Sequence, residues 1–177
     1  MPTERSLYRK IQEVLETAKA AHIESLEDLR NRLEKRQDKM FKTQQYNPEK
    51  DAMRLLPSHR VIRGTVRICC LIDVISTEGR LTDAGRQALQ RKRFGSVIVS
   101  QVRHFLKQQG LDLTQMNRAI SECLQARPVV LPTSTALWQA TGSKVPKGVF
   151  TKLLTLLGHA GGAETAQRKI YVHIATE

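Results

Sequence analysis

Arg60, Arg63 and Arg67 recur at i, i+3 and i+7, a spacing that places all three on one face of a helix. Arg91-Lys92-Arg93 follows as a compact cationic knot just before Gly95-Ser96. Arg103, His104 and Lys107 share a face of the next segment. Few acidic residues lie near any of them. A guanidinium presents a fork of N–H donors that matches phosphate oxygens, and an ammonium acts as a point charge on the same groups. Neutralising phosphates releases counterions, so such binding weakens steeply as salt rises. The chemistry these residues point to is phosphate contact. For any one of them alone, a solvated basic surface is the simpler account.

The bulk charge agrees with that chemistry. The 177 residues carry 29 Lys plus Arg against 17 Asp plus Glu, a net charge of +12. Residues 49–110 hold +7 of it, against +2 before them and +3 after. An excess of this size opposes compaction by self-repulsion and is most simply explained by a polyanionic partner. Nucleic acid is the expected one, with a basic face for an acidic protein partner as an alternative. The eight aromatic residues are scattered and do not interleave with cations as single-strand stacking platforms do, Phe94 beside Arg93 excepted. Duplex DNA is therefore favoured over RNA or single-stranded DNA.

Catalysis finds no comparable support. The five histidines show no HExxH or other metal spacing, and there is neither GxSxG nor a phosphate loop ending in GK[ST]. Asp73, Glu78 and Asp83 have no spacing that singles them out as a cation site. Cys69 and Cys70 are adjacent and Cys123 stands apart, which fits buried thiols in a reducing compartment. The expectation is a non-enzyme without metal or cofactor. Met1–Arg5 is followed by no apolar leader, and no window approaches a membrane span, so a cytoplasmic protein is expected, or a nuclear one in a eukaryote.

The elements that must position these residues read as mostly helix. Aromatics make up only 5% of the chain, so a core must come from Leu, Ile, Val and Ala, which favours packed helices. Residues 1–46 form an amphipathic arm. Leu7, Ile11, Val14, Leu15, Ala18 and His22 make one stripe, and Ser25 caps a second helix with Leu26, Leu29, Leu33 and Met40. This arm either dimerises the protein or packs on its own body. Residues 47–57 read as a linker. Residues 58–110 read as a basic helical bundle, with Val66 to Ile75 apolar enough to be a buried helix or a strand and Glu78-Gly79 ending that run. Thr82 caps a helix over 83–93, and Gly95-Ser96 opens another over 97–109, which Gly110 stops.

Residues 111–177 carry a helix over 115–126, a short extended run at Val129–Leu131, and a short helix capped by Thr133 or Ser134. Gly142 breaks that helix, and Pro146 opens another through Leu157. Residues 168–175 then alternate as a half-buried strand. The segment Leu137-Trp-Gln-Ala-Thr-Gly142, followed by Val145 and Val149, resembles the turn of a winged helix-turn-helix domain. The likeness implies that the helix after the turn enters a DNA groove and the strand forms a wing. Carried over by position, it implies DNA contacts from Lys144, Lys147, Thr151 and Lys152, with Lys169 and His173 flanking the wing. The helix departs from the pattern by offering no Arg, Asn or Gln for bidentate base contacts.

The fold expected is a helical bundle with an N-terminal arm and a winged-helix-like C-terminal unit holding a small β element. The leading functional expectation is a DNA-binding regulator or accessory factor. The alternatives are a basic structural subunit of a larger ribonucleoprotein, by analogy with the small helical subunits of CRISPR effector complexes, and a protein–protein adaptor.

Overall fold

The computed structural model describes residues 4–42, 59–111, 133–142 and 144–159, with Gln115, Met116, Arg118, Ser121, Glu122 and Gln125 between them. The chain is mostly helical and divides into two compact units between Phe94 and Gly95. The division falls inside the stretch read above as one bundle over 58–110.

The first unit is built on α1 (Glu4–Ala20), α2 (Leu26–Lys42) and α3 (His59–Leu71), which pack against one another. The stripe of α1 buries Leu7, Ile11, Val14, Leu15 and Ala18, and α2 adds Leu29 and Leu33. The apolar arm thus packs on its own body, while His22 is exposed. Ser25 caps α2 through the Asp28 N–H at 3.1 Å, and the Asp28 carboxylate accepts from the Glu24 N–H at 3.2 Å.

The Val66–Ile75 run resolves as the end of a helix, not a strand. Ile62, Thr65, Val66, Ile68 and Cys69 are buried, and α3 stops at Leu71, earlier than Glu78-Gly79. The stop is a left-handed cap. Asp73 has φ +57°, the Asp73 N–H donates to Cys70 O at 3.1 Å, and the Val74 N–H donates to Cys69 O at 3.0 Å. The chain then folds back through Gly79 (φ +82°), and Ile75 pairs antiparallel with Leu81. Thr82 caps α4 (Asp83–Ala88) through the Gly85 N–H at 3.1 Å and donates its own hydroxyl to Asp73 O at 2.6 Å. The helix expected over 83–93 therefore ends at Ala88. Tyr8 and Phe94 meet edge to face with ring centres 4.6 Å apart, so Phe94 is a packing residue of this unit.

In the second unit, α5 (Phe94–Gln108) begins three residues earlier than 97. Ile98, Val99, Val102, Phe105 and Leu106 are buried. Gly110 (φ +67°) closes it, with the Leu111 N–H on Leu106 O at 3.1 Å. Thr133 caps α6 (Ser134–Ala140) through the Ala136 N–H at 3.1 Å. Gly142 (φ +57°) turns the chain, and α7 (Lys147–His159) follows and packs on α6. Pro146 sits just ahead of α7, where its carbonyl accepts from the Phe150 N–H at 3.0 Å. The Trp138 indole N–H donates to Val145 O at 2.8 Å and closes the turn.

The β element expected at 168–175 lies outside the described residues, as does the run at 129–131. Among the described residues the one antiparallel pairing is Ile75 with Leu81, in the first unit. Among the described residues no helix is long and apolar enough to cross a membrane.

Candidate nucleic-acid interface

The residues of α3 divide cleanly between core and solvent. Its buried residues occupy one side, and Arg60, Arg63 and Arg67 are exposed on the other. Burying apolar side chains on one face of a helix leaves the opposite face to long cations, which keep their charged ends in water. The arginine ridge read from the sequence is therefore a structural feature.

Its three members are not equivalent. The Arg63 Nε donates to Glu34 Oε1 at 3.0 Å, and this bond to a carboxylate on α2 raises the guanidinium's already high pKa further. Glu34 is buried, with a side chain 12% exposed, and also lies 3.7 Å from His59 Nδ1. Arg63 is thus a clamp between α2 and α3, with its side chain still 55% exposed. Arg60 and Arg67 have no acidic partner among the described residues.

Beyond α4, Arg91 and Lys92 are exposed and also without a partner there. Lys92 has φ +63°, which turns the chain sharply at the knot. Arg93 already has an interaction within the chain. In the second unit Arg103 is half-buried and likewise engaged, whereas Lys107 is exposed in the last turn of α5, where a cation complements the helix dipole.

The helix after the Gly142 turn exposes a narrow polar stripe. Phe150, Leu153, Leu154, Leu156 and Leu157 are buried, leaving Lys147, Gly148 and Lys152 exposed and Thr151 and Thr155 half-buried. The Thr151 hydroxyl donates to Lys147 O at 3.0 Å and the Thr155 hydroxyl to Thr151 O at 3.0 Å. Both hydroxyl protons are turned inward to the helix's own carbonyls. Lys144 is exposed in the turn. Lys169 and His173 lie outside the described residues.

One feature of the first unit was not anticipated. A cleft of about 550 Å³ opens between the end of α1, the turn after Gly79 and α4. Lys19, His22, Arg80 and Arg86 line it, together with the apolar Ile23 and Leu89, and no acidic residue does. The sequence signal was the repeated Gly-Arg pair, Gly79-Arg80 and Gly85-Arg86, in which a residue needed for close backbone approach stands beside a cation.

Burial pushes the thiols of Cys69 and Cys70 upward, which keeps them protonated. Among the described residues no three His, Cys, Asp or Glu side chains gather as metal ligands. The chain matches no protein-family model, no curated protein and no solved structure.

Proposed function

We propose that this chain binds nucleic acid without catalysing a reaction on it, and that it grips the phosphate backbone through an exposed arginine face. The observation that carries this reading is the face of α3 turned away from the core. There Arg60 and Arg67 stand exposed, with no acidic partner among the described residues, on a chain of net charge +12. Arg91 and Lys92 add two more exposed cations to the same unit. Unpaired cations on a rigid helix suit phosphates at fixed spacing.

The arrangement of the first unit supports approach to a duplex. Three packed helices followed by an antiparallel pairing occur at Glu4–Leu81, with the arginine face on the third helix. On this reading α3 approaches a duplex and the turn at Ser76–Arg80 lies beside it, as a regulator or accessory factor in the cytoplasm would require. The second unit supplies Lys107, Lys144, Lys147 and Lys152 as further backbone contacts.

A second reading is favoured by α7. Its polar stripe offers two lysines and two threonines whose hydroxyl protons are already bonded, and no Arg, Asn or Gln for bidentate contacts with bases. That chemistry suits a structural subunit lining a nucleic-acid path without reading its sequence.

Binding to duplex DNA, single-stranded DNA and RNA across a salt series, with random and selected sequences, tests both. Sequence-selective duplex binding supports the regulator. Non-selective binding supports the structural subunit. No binding at low salt refutes both.

A further inference from the structure

We propose that the cleft between α1, the Gly79 turn and α4 seats a single nucleotide, its phosphate on the cationic rim and its base against the apolar floor. The anionic character of the ligand follows from the lining alone. The choice of a nucleotide over other organic phosphates rests on the nucleic-acid reading above.

The lining carries four groups able to hold positive charge and no carboxylate. Lys19 and the His22 ring have no partner among the described residues. Arg80 donates from Nε to Ile23 O at 3.4 Å, which fixes the side chain while leaving its terminal nitrogens. Arg86 is held by Leu81 O at 3.0 Å and by Asp83, an exposed carboxylate that does not line the cleft. A cluster of this kind favours a multiply charged group such as phosphate over a lone carboxylate. Ile23 and Leu89 give the same space an apolar side, so the ligand has an apolar body as well as an anionic end. With no Phe, Tyr or Trp in the lining, the base would lie on the apolar floor beside the His22 imidazole, a recognised platform for unstacked bases.

The walls are preorganised. A Cβ on Gly79 would fall 3.0 Å from both Leu26 Cα and Ser25 O, and one on Gly85 would fall 2.1 Å from Val74 O. Backbone is therefore pressed against backbone at the residue immediately before Arg80 and at the residue immediately before Arg86. A site held this way loses little entropy when a ligand arrives. Its volume lies within the roughly 300–1,000 Å³ of small-molecule sites.

The test uses the full chain, titrated with inorganic phosphate and with adenosine monophosphate. The nucleotide should bind about tenfold tighter than phosphate, or better, because only it uses the apolar floor. Lys19→Ala with Arg80→Ala should weaken it by about tenfold or more. Ala21→Leu, which narrows the cleft and removes no charge, should reduce the nucleotide's advantage and leave phosphate binding in place. A duplex with one unpaired 3′ nucleotide, compared with a blunt one, separates the sources. Preference for the overhang assigns the cleft to a strand end, and equal affinity assigns it to a free nucleotide. A nucleotide that binds no tighter than phosphate, or that ignores both variants, overturns the inference. Duplex binding measured alongside keeps the two readings apart. Intact duplex binding with an unresponsive cleft sinks only this inference, whereas nucleotide binding without duplex binding sinks only the backbone grip.

Discussion

Replacing Arg60 and Arg67 together with alanine isolates the arginine face from the fold that carries it. Both side chains are exposed, opposite the buried Ile62, Val66 and Cys69, so their removal leaves the core intact and the thermal midpoint essentially unchanged. Each phosphate contact contributes about 0.9 to the slope of log affinity against log salt on duplex DNA, so losing two should flatten the slope by about 1.8. Taking the ion-release contribution to vanish near 1 M salt, the same two contacts account for about 60-fold in affinity at about 0.1 M. Anisotropy of a labelled duplex titrated from about 50 to 200 mM salt reads both quantities. Arg118→Ala is the control for charge alone, because Arg118 is exposed but bonded to Glu122 at 3.1 Å. It should leave the slope unchanged. Arg63→Ala should differ from both, since it deprives the buried Glu34 carboxylate of its 3.0 Å partner and leaves, among the described residues, His59 at 3.7 Å. It should lower the thermal midpoint more than it alters the slope. If the double variant keeps the parent slope, the arginine face is not where phosphates are held, and the reasoning from exposure to contact fails.

Three further outcomes follow from the same geometry. Gly85→Ala pushes a Cβ to 2.1 Å from Val74 O, a backbone atom that cannot swing aside, and should cost about 2–3 kcal/mol in denaturant unfolding. Lys92→Gly should leave stability unchanged or raise it by up to about 1 kcal/mol, because a left-handed residue becomes glycine, while weakening duplex binding through the lost cation. Hydrogen bonds from Arg32 and the Glu24 N–H hold the Asp28 carboxyl below its usual range, and those from Thr77 and Ser76 do the same for Glu78. A depressed carboxyl stabilises the fold above its unfolded-state pKa and loses that contribution as pH falls through the folded value. Thermal midpoints followed downward from neutral should therefore begin to fall in the ordinary carboxylate range and continue below it, and Asp28→Asn should reduce that dependence.

Local signals in the sequence were reliable where one residue type suffices. Thr82, Thr133 and Ser25 each announced a helix start because a short hydroxyl side chain can accept from the third residue on. Gly110 and Gly142 announced ends because a left-handed cap favours glycine. The end of α3 was not legible, since Asp73 takes the same conformation without being glycine. Nor was its helical state, because a run buried on most sides loses the polar alternation that separates helix from strand. The start of α5 was misplaced because Gly95-Ser96 resembles a cap, whereas Phe94 is anchored by Tyr8 from far back in the chain. The candidate site divides in the same way. Spacing alone gave the arginine face, but the partner that engages Arg63 is 29 residues distant. The cleft is assembled from three separate segments, so only the fold brings Lys19 and His22 to Arg80 and Arg86.

The distribution of cations also bears on what kind of binding is being proposed. A reader of sequence needs side chains that project beyond the phosphates and pair with base edges. Arginine can do both, and α3 exposes two with no acidic partner among the described residues. Lysine on α7 offers a point charge without a fork, and the threonines beside it have turned their protons to their own helix. On the proposed reading, base readout by the described residues falls to the first unit, and the exposed lysines of the second add backbone contacts. On that reading, the difference between the units comes from burial and hydrogen bonding, not from charge, because both carry exposed cations.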